Sequence, residues 1–234
     1  MSSATPRLVL VGGFELLIHG RPVSLPERAQ RLVAFLALRG RPVERQQLAG
    51  ILWLDSSEDR AMANLRSTIW RIRDVAASVF VEVGRQLLID PRIVVDVREI
   101  TDRAHRILDG AEPSGPLVEA MSEAGELLPD WEEDWVLIER ERFHQLRLHA
   151  LELLCEKLAA DRRFGWAIEA CLAAVSAEPL RESAHRALIG AYLAEGNSGD
   201  ALAHYRAYRQ LMQDELGLEP TSQMDELIQG VAGR

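Results

Sequence analysis

Arginine and amide side chains are concentrated in one segment, residues 58 to about 77, at spacings that suit binding to a nucleic acid. The segment contains Arg60, Asn64, Arg66, Arg71 and Arg73. A guanidinium group can donate two hydrogen bonds to O6 and N7 of guanine, and an asparagine amide pairs similarly with N6 and N7 of adenine. Guanidinium groups that meet no base can neutralise phosphates and fix the register on the duplex. The chemistry that this segment offers is therefore recognition of DNA.

The apolar residues of the same segment predict a helix that would present those side chains. Spacings of 4, 4, 3 and 4 separate Ala61, Leu65, Ile69, Ile72 and Ala76, which places them on one narrow stripe. At 100° per residue, the opposite side carries Ala63, Ser67, Trp70 and Asp74. We call this predicted element the recognition helix and expect it to enter the major groove.

Eight polar side chains, six of this helix and two further along the chain, are each expected at a base edge or at a phosphate. The residues expected at base edges are Asn64, Ser67 and Arg71. The residues expected at phosphates are Arg66, Thr68, Arg73, Arg85 and Arg92. The simpler alternative is a solvated helix face, because arginine is common in this chain, in which Lys157 is the only lysine among 27 basic residues.

Patterns typical of enzymes are missing from the sequence. The surroundings of Lys157, CEKLAA, cannot form a phosphate-binding P-loop, and no GxSxG, HExxH or CxxC occurs. His144 and His149 are five residues apart, about 140° around a helix, so they cannot share a metal ion. We expect no catalytic residue, no metal and no cofactor.

The carboxylate-rich block DWEEDW at residues 130–135 has two interpretations. It could hold a metal ion, but Asp130 followed three residues later by Glu133 is also the pattern of a helix N-cap and capping box. We favour the helix start. Trp131 and Trp135 would then share one buried face.

The elements around the recognition helix predict a winged helix-turn-helix. The run LVAFLAL at 32–38, between Pro26 and Gly40, indicates a buried helix. Residues 79–83 and 87–89 are β-rich and joined by Gly84, Arg85 and Gln86, which predicts a hairpin, or wing, with a basic tip. Three further short strands are predicted upstream, at 8–11, 14–18 and 23–25.

These blocks resemble a known family of regulators. An N-terminal three-stranded sheet before the helices is similar to the OmpR/PhoB-type winged helix, and LPERAQRLVAFLALRGRPVERQQLAGILW resembles the SARP (antibiotic regulatory protein) activators. Downstream, LLPDWEEDWVLIERER, EPLRESAHRALIGAYLAEGN and DALAHYRAYRQLMQDELGLEP resemble the bacterial transcriptional activator domain that follows in that family. The resemblance spans about residues 7 to 228. Trp70 departs from it, because a small, polar or basic residue is more usual at that outward position.

The resemblance implies several functional properties. It implies a transcriptional activator that binds direct repeats near promoters as head-to-tail protomers, with double-stranded DNA and RNA polymerase as partners. The loop that this winged-helix class turns to the polymerase corresponds to Leu54, Asp55, Ser56, Ser57, Glu58 and Asp59. The alternative for that loop is a helix start, with Ser56 or Ser57 as N-cap and acids in the first turn. Fuller family members carry a P-loop module further along, which these residues do not contain.

Charge and an internal repeat separate the two halves of the chain. Residues 1–96 hold 13 arginines against 10 acidic residues, a net charge of +3, whereas residues 97–234 hold 14 basic against 26 acidic residues, a net charge of −12. In the second half, Ala167 and Ala201 are 34 residues apart, the tetratricopeptide period, although a plain helical bundle would give similar spacings. We predict an α+β winged helix-turn-helix domain at 1–96 and an all-α, tetratricopeptide-like domain at 97–234.

Two further expectations concern the cell compartment. No signal sequence, lipidation motif or run of about 18 apolar residues is visible, so we expect a cytoplasmic protein without membrane contact. Cys155 and Cys171 lie in apolar helical contexts and are expected to be reduced core thiols.

Two functions of different classes follow. The first is a promoter-binding transcription regulator, and the second is a helical adaptor whose winged helix binds protein. The arginines of the recognition helix and Arg85 at the wing tip favour DNA, whereas acidic replacement of that face would have favoured protein.

Overall fold

A computed structural model describes residues 5–76 and 79–232 of the chain. Contacts between residues group them into two compact units. The first consists of Met1–Glu99 and Gly125–Glu141, and the second consists of Ile100–Ala124 and Arg142–Arg234. The domain boundaries inferred from the sequence, 1–96 and 97–234, are a separate division of the chain and remain a prediction.

The described strands belong to the first unit and form two small sheets. They are β1 (Arg7–Val9), β2 (Glu15–Ile18), β3 (Arg21–Pro22), β4 (Val43–Glu44), β5 (Phe80–Val83), β6 (Gln86–Ile89) and β7 (Val94–Val95). One sheet has the order β3-β2-β1-β7, with β7 parallel to β1, and the other has the order β4-β6-β5. The second sheet contains the predicted wing.

The position predicted for the third strand was wrong. It pairs at Arg21–Pro22 rather than at 23–25, because His19 and Gly20 have positive φ values of 55° and 74° and form a two-residue turn. This turn sets Ile18 opposite Arg21. Strands β4 and β7 were not predicted, since two residues are too few to show an alternating pattern.

The helices account for most of the chain. They are α1 (Glu27–Arg39), α2 (Arg45–Leu52), α3 (Glu58–Val75), α4 (Asp96–Leu108), α5 (Gly115–Ser122), α6 (Asp134–Ala160), α7 (Phe164–Ala177), α8 (Glu182–Glu195), α9 (Ser198–Leu216) and α10 (Ser222–Ala232). Helices α2 and α3 are the predicted helix-turn-helix, and α1 is the predicted core helix. It begins after Pro26 and ends at Gly40, which adopts the left-handed conformation that glycine tolerates.

A later segment, Gly125–Glu141, completes the first unit. The backbone N–H of Gly12 donates to the carbonyl of Glu126 at 2.8 Å, and Trp131 stacks on Phe14 with ring centroids 6.2 Å apart. Trp135 meets Phe35 of α1 edge-to-face at 5.2 Å. The two tryptophans therefore pack on this unit, but the prediction that they share one buried helix face was wrong, because Trp131 precedes α6 and both rings are half-buried.

The helix start predicted at Asp130 was wrong. Helix α6 begins at Asp134, and the carbonyl of Glu133 accepts the first N–H groups, from Val136 at 2.7 Å and Leu137 at 3.1 Å. The carboxylate of Glu133 pairs instead with Arg31 of α1 at 2.6 Å. The carboxylate that the sequence pattern assigned to capping is therefore bound by a cation of another helix.

Asp96 holds the start of α4 against the two residues that follow β1. It is 7% exposed, and its carboxylate accepts hydrogen bonds from the backbone N–H groups of Leu10, Val11 and Val97 at 2.6–3.1 Å. Burial raises the pKa of this carboxyl, and the three donors oppose that effect.

The second unit contains antiparallel helix pairs that repeat. Helices α7 and α9 begin at Phe164 and Ser198, 34 residues apart, which agrees with the tetratricopeptide period. Ala167 and Ala201 are both completely buried, so the helices cross closely at the small residues that the repeat places there.

The prediction that the two cysteines are reduced thiols was wrong. Cys155 of α6 and Cys171 of α7 form a disulfide, with their Cα atoms 5.6 Å apart. A short turn folds α7 back along α6, which brings the two residues within the Cα separation that a disulfide requires. The apolar sequence around each cysteine gave no sign of this pairing.

Candidate nucleic-acid interface

The buried side of α3 follows the predicted register. Ala61, Leu65, Ile69 and Ile72 are each at most 5% exposed, and Ala76, the residue after the helix, is equally buried. The helix ends at Val75, and Ala77, near which we predicted its end, lies outside the described residues. The apolar stripe fixes the direction of every other side chain of the helix.

The opposite side of α3 is exposed and cationic. Its exposed residues are Arg60, Ala63, Arg66, Ser67, Trp70, Arg71, Arg73 and Asp74. Within the described part of the chain, Arg60, Arg66 and Arg71 have no ion-pair partner. Three guanidinium groups of one helix face are therefore available to an external anion.

The three residues assigned to base edges lie together. Asn64, Ser67 and Arg71 line one hollow of about 320 Å³ between α3 and the first turn of α1. Thr68 lines the same hollow but is only 6% exposed. Arg28 of α1 also lines the hollow. The sequence did not predict this cation; the signal it offered was the position of Arg28 in the first turn of the helix that begins after Pro26.

Arg73 has a partner inside the protein. Its guanidinium pairs with the carboxylate of Glu82 on β5, and Arg45 of α2 pairs with the same oxygen, Oε1, at 2.9 Å. The hydrogen bond from Arg73, followed by the charge of Arg45, lowers the pKa of Glu82. We call these three residues the Glu82 cluster; it ties α2, α3 and the wing together.

The wing presents one cation at its tip. Val83 pairs with Gln86, so the loop has two residues, Gly84 and Arg85, rather than the three expected. Gly84 has φ of +62°, a conformation that this tight turn requires and that glycine adopts without strain. Arg85 is exposed.

Arg92 differs from Arg85 because a carboxylate holds it. Its guanidinium bonds to both oxygens of Asp90, with Nη2 at 2.6 Å from Oδ2 and Nε at 3.0 Å from Oδ1. These bonds lower the pKa of Asp90 and raise that of Arg92. A phosphate contact by Arg92 would have to share the guanidinium with Asp90.

The loop before α3 is acidic and open to solvent. Leu54 is 79% exposed, and Asp55, Ser57, Glu58 and Asp59 are also exposed, whereas Ser56 is half-buried. Ser57 occupies the N-cap position, with its carbonyl accepting from Ala61 at 2.8 Å, but its hydroxyl makes no capping hydrogen bond. The alternative of a helix start is therefore confirmed for the position of Ser57 and for Glu58 and Asp59 in the first turn, but not for a bond from the serine side chain.

The described residues contain neither a candidate metal site nor a membrane-spanning helix. Within 5–76 and 79–232, no three histidine, cysteine, aspartate or glutamate side chains are grouped to hold a metal ion. Over the same ranges, no helix combines the length and apolar character needed to cross a membrane.

Comparison with known proteins gave one family match and several relatives. A family model described as the bacterial transcriptional activator domain matches residues 101–232. The regulatory protein AfsR of Streptomyces griseus is 26% identical over 94% of this chain and 23% of its own length. The transcriptional regulatory protein EmbR of Mycobacterium tuberculosis is 27% identical over 90% of this chain and 59% of its own length.

A solved structure shares the fold of this chain. It is Mycobacterium tuberculosis EmbR in complex with a low-affinity phosphopeptide, with a TM-score of 0.74 and 22% identity over 98% of this chain and 65% of that one. The chain thus spans less than a quarter of the AfsR protein and about three fifths of EmbR.

Proposed function

The chain belongs to the family that carries the bacterial transcriptional activator domain, and from this premise we propose that it is a sequence-specific DNA-binding activator of transcription. In this proposal α3 enters the major groove and binds direct repeats near promoters, and the exposed loop before it contacts RNA polymerase. The same proposal makes the protein cytoplasmic and self-associating on DNA.

The main observation that supports this proposal is the cationic face of α3. Arg66 and Arg71 are exposed and lack ion-pair partners within the described residues, while Asn64, Ser67 and Arg71 share one hollow. Exposed cations that surround amide and hydroxyl groups match the donors that phosphates and base edges require. An acidic face would have supported the adaptor function instead.

Charge supports confining DNA contact to the first half of the chain. Residues 1–96 carry a net charge of +3 and residues 97–234 a net charge of −12. A polyanionic duplex is attracted to the former and repelled by the latter.

The polymerase contact is proposed from the loop that precedes α3. Leu54 is 79% exposed and is followed by acidic residues, a combination of one apolar anchor and surrounding charge that suits a protein partner. The family resemblance supports the same assignment.

Selection of bound duplexes from a random pool, with the full chain at near-physiological salt, tests the proposal. We expect enrichment of a repeated half-site, whose spacing gives the arrangement of protomers. Arg71→Ala should then weaken binding by about 1–3 kcal/mol and relax the preference at one position. Arg209→Ala is the matched control, because Arg209 pairs with Glu219 in the second unit.

Two results would contradict the proposal. Absence of enrichment by a folded protein would favour the helical adaptor. Equal affinity of wild type and Arg71→Ala for every duplex would remove the base-edge role.

On the selected duplex, Leu54→Ala should keep DNA affinity but lose recruitment of RNA polymerase.

A further inference from the structure

Trp70 places a large apolar ring where the surrounding surface is charged. It is 68% exposed, whereas Trp166 is 37% exposed and Trp53, Trp131 and Trp135 are half-buried. An exposed indole leaves most of its apolar area in water, so a partner that covers it gains affinity.

The neighbours of Trp70 along α3 describe the partner. Residues three and four positions away on a helix share its surface, and here they are Arg66, Ser67, Arg73 and Asp74, all polar and exposed. Two of these neighbours are arginines and only Asp74 is acidic, whereas the exposed Leu54 is followed by acidic residues, so the setting of Trp70 is cationic and attracts a polyanion. It suits a polyanion that offers small, isolated apolar groups.

Duplex DNA has one such group in the major groove. Among the base edges there, only thymine carries a methyl group, on C5, and the remaining contact points are hydrogen-bond donors and acceptors. The faces of the bases are stacked in an intact duplex, so an indole from the groove side meets edges rather than faces.

From this placement we infer that Trp70 is a specificity-determining residue that contacts a thymine C5-methyl in the major groove. The inference rests on the proposed function and adds a position at which an A·T pair is preferred for apolar rather than hydrogen-bonding reasons.

The position of this thymine follows from the helix. Trp70 is adjacent to Arg71 and three residues after Ser67, an axial rise of about 4.5 Å. Base pairs rise about 3.4 Å each. The thymine should therefore lie within one or two base pairs of the contacts made by Ser67 and Arg71.

Replacing thymine with deoxyuridine removes only the methyl group and supplies the test. Each thymine of the selected half-site is replaced in turn, and the affinity of the full chain is measured. At one position we expect a loss of about fourfold, equivalent to about 0.8 kcal/mol for a buried methyl-sized group at about 1.4 kcal/mol per tenfold change.

Three variants complete the experiment. Trp70→Ala should bind thymine and deoxyuridine duplexes equally at that position, and Trp70→Phe should keep part of the difference. Val75→Ala is the matched control, because Val75 is an exposed apolar residue of the same helix, 52% exposed and about 140° away from Trp70. It should retain the full fourfold difference.

The outcomes separate this inference from the function on which it rests. If the selected duplex binds specifically but no deoxyuridine substitution matters, or Trp70→Ala keeps the difference, the inference is overturned and the function stands. If Trp70→Ala changes only the number of protomers on DNA, the indole contacts another copy of the chain and the inference is again overturned. If no duplex is selected, both fail.

Discussion

Helix α3 and the α8–α9 pair differ in where their polar side chains lie: those of α3 are mostly exposed, whereas those between α8 and α9 are buried. On α3 the buried residues are apolar except for Thr68, and Arg66 and Arg71 extend into solvent without ion-pair partners within the described residues. Between α8 and α9 polar rings are buried, with His185 3% exposed and stacked on Tyr208 at 4.0 Å. Unpaired surface cations suit an external ligand, whereas bonded interior rings determine an internal geometry.

The interior bonds determine the protonation of both histidines. Nε2 of His185 lies 2.8 Å from the carbonyl oxygen of Pro179, which only accepts, so that nitrogen must donate. Nδ1 of neutral His185 then accepts from Nε2–H of His204, 2.9 Å away. Burial lowers the pKa of His185 to about 4 and also lowers that of His204, which agrees with two neutral rings.

The largest expected effect is the loss of an apolar residue from the α3 stripe. Ile69 is 5% exposed, and Ile69→Ala should lower the free energy of unfolding of the first unit by about 2–5 kcal/mol, through lost burial and the cavity left behind. Thermal and denaturant unfolding measure it. Ser67→Ala, on the exposed face two residues earlier, should change stability by less than about 0.5 kcal/mol. Similar losses in both variants would contradict the difference between the two faces.

The second-largest expected effect is that the free energy of unfolding of the second unit depends on pH. The folded pKa of His185 is below its ordinary value of 6.5, so the unfolded chain binds more protons between about pH 6.5 and pH 4, and stability is lost as pH falls through that range. Between pH 8 and pH 5, His185 alone should contribute a loss of about 2 kcal/mol. The pKa of about 4 already includes the opposing charge of Glu182, which favours the charged ring.

Unfolding of the wild-type chain at several pH values measures this loss, and His185→Phe should diminish it. Because that variant removes two hydrogen bonds, titration of the histidine ring signals of the wild type by NMR is the independent measurement. A His185 ring that titrates near pH 6.5 would contradict the internal arrangement, whatever the stability of the variant.

The same contrast explains what the sequence could predict. Long amphipathic or apolar runs carry their own period, so α1, the α3 register and the helical second half were predicted correctly, and the family match and relatives confirm the resemblance to SARP-type activators. The disulfide, the start of α6 and the Glu82 cluster depend on residues brought together by folding. Cys155 and Cys171 are 16 residues apart, and Arg73 and Glu82 are nine apart on different elements. Spacing along one helix contains no information about such pairs.

The same distinction applies to the candidate site, where some features follow from one helix and others from contacts between elements. The exposed positions of α3 follow from helical geometry alone, so its outward residues could be found without a structure. The partners of Arg73 and Arg92 could not, because the competing carboxylates lie on neighbouring elements or in a turn whose conformation the sequence leaves open. The DNA roles of all these residues remain predictions.

The smallest expected effect distinguishes the unpaired arginines of α3 from the paired one. Each phosphate contact contributes about 0.9 to the slope of log K against log salt concentration, so Arg66→Ala should reduce the slope by about that amount. Arg73→Ala should reduce it less, because the carboxylate of Glu82 already offsets part of that charge. Glu82→Gln should increase the slope, since it leaves Arg45 and Arg73 without their shared partner. Equal reductions for Arg66→Ala and Arg73→Ala would mean that DNA displaces Glu82, and the Glu82 cluster would then be an arrangement of the free protein that binding breaks.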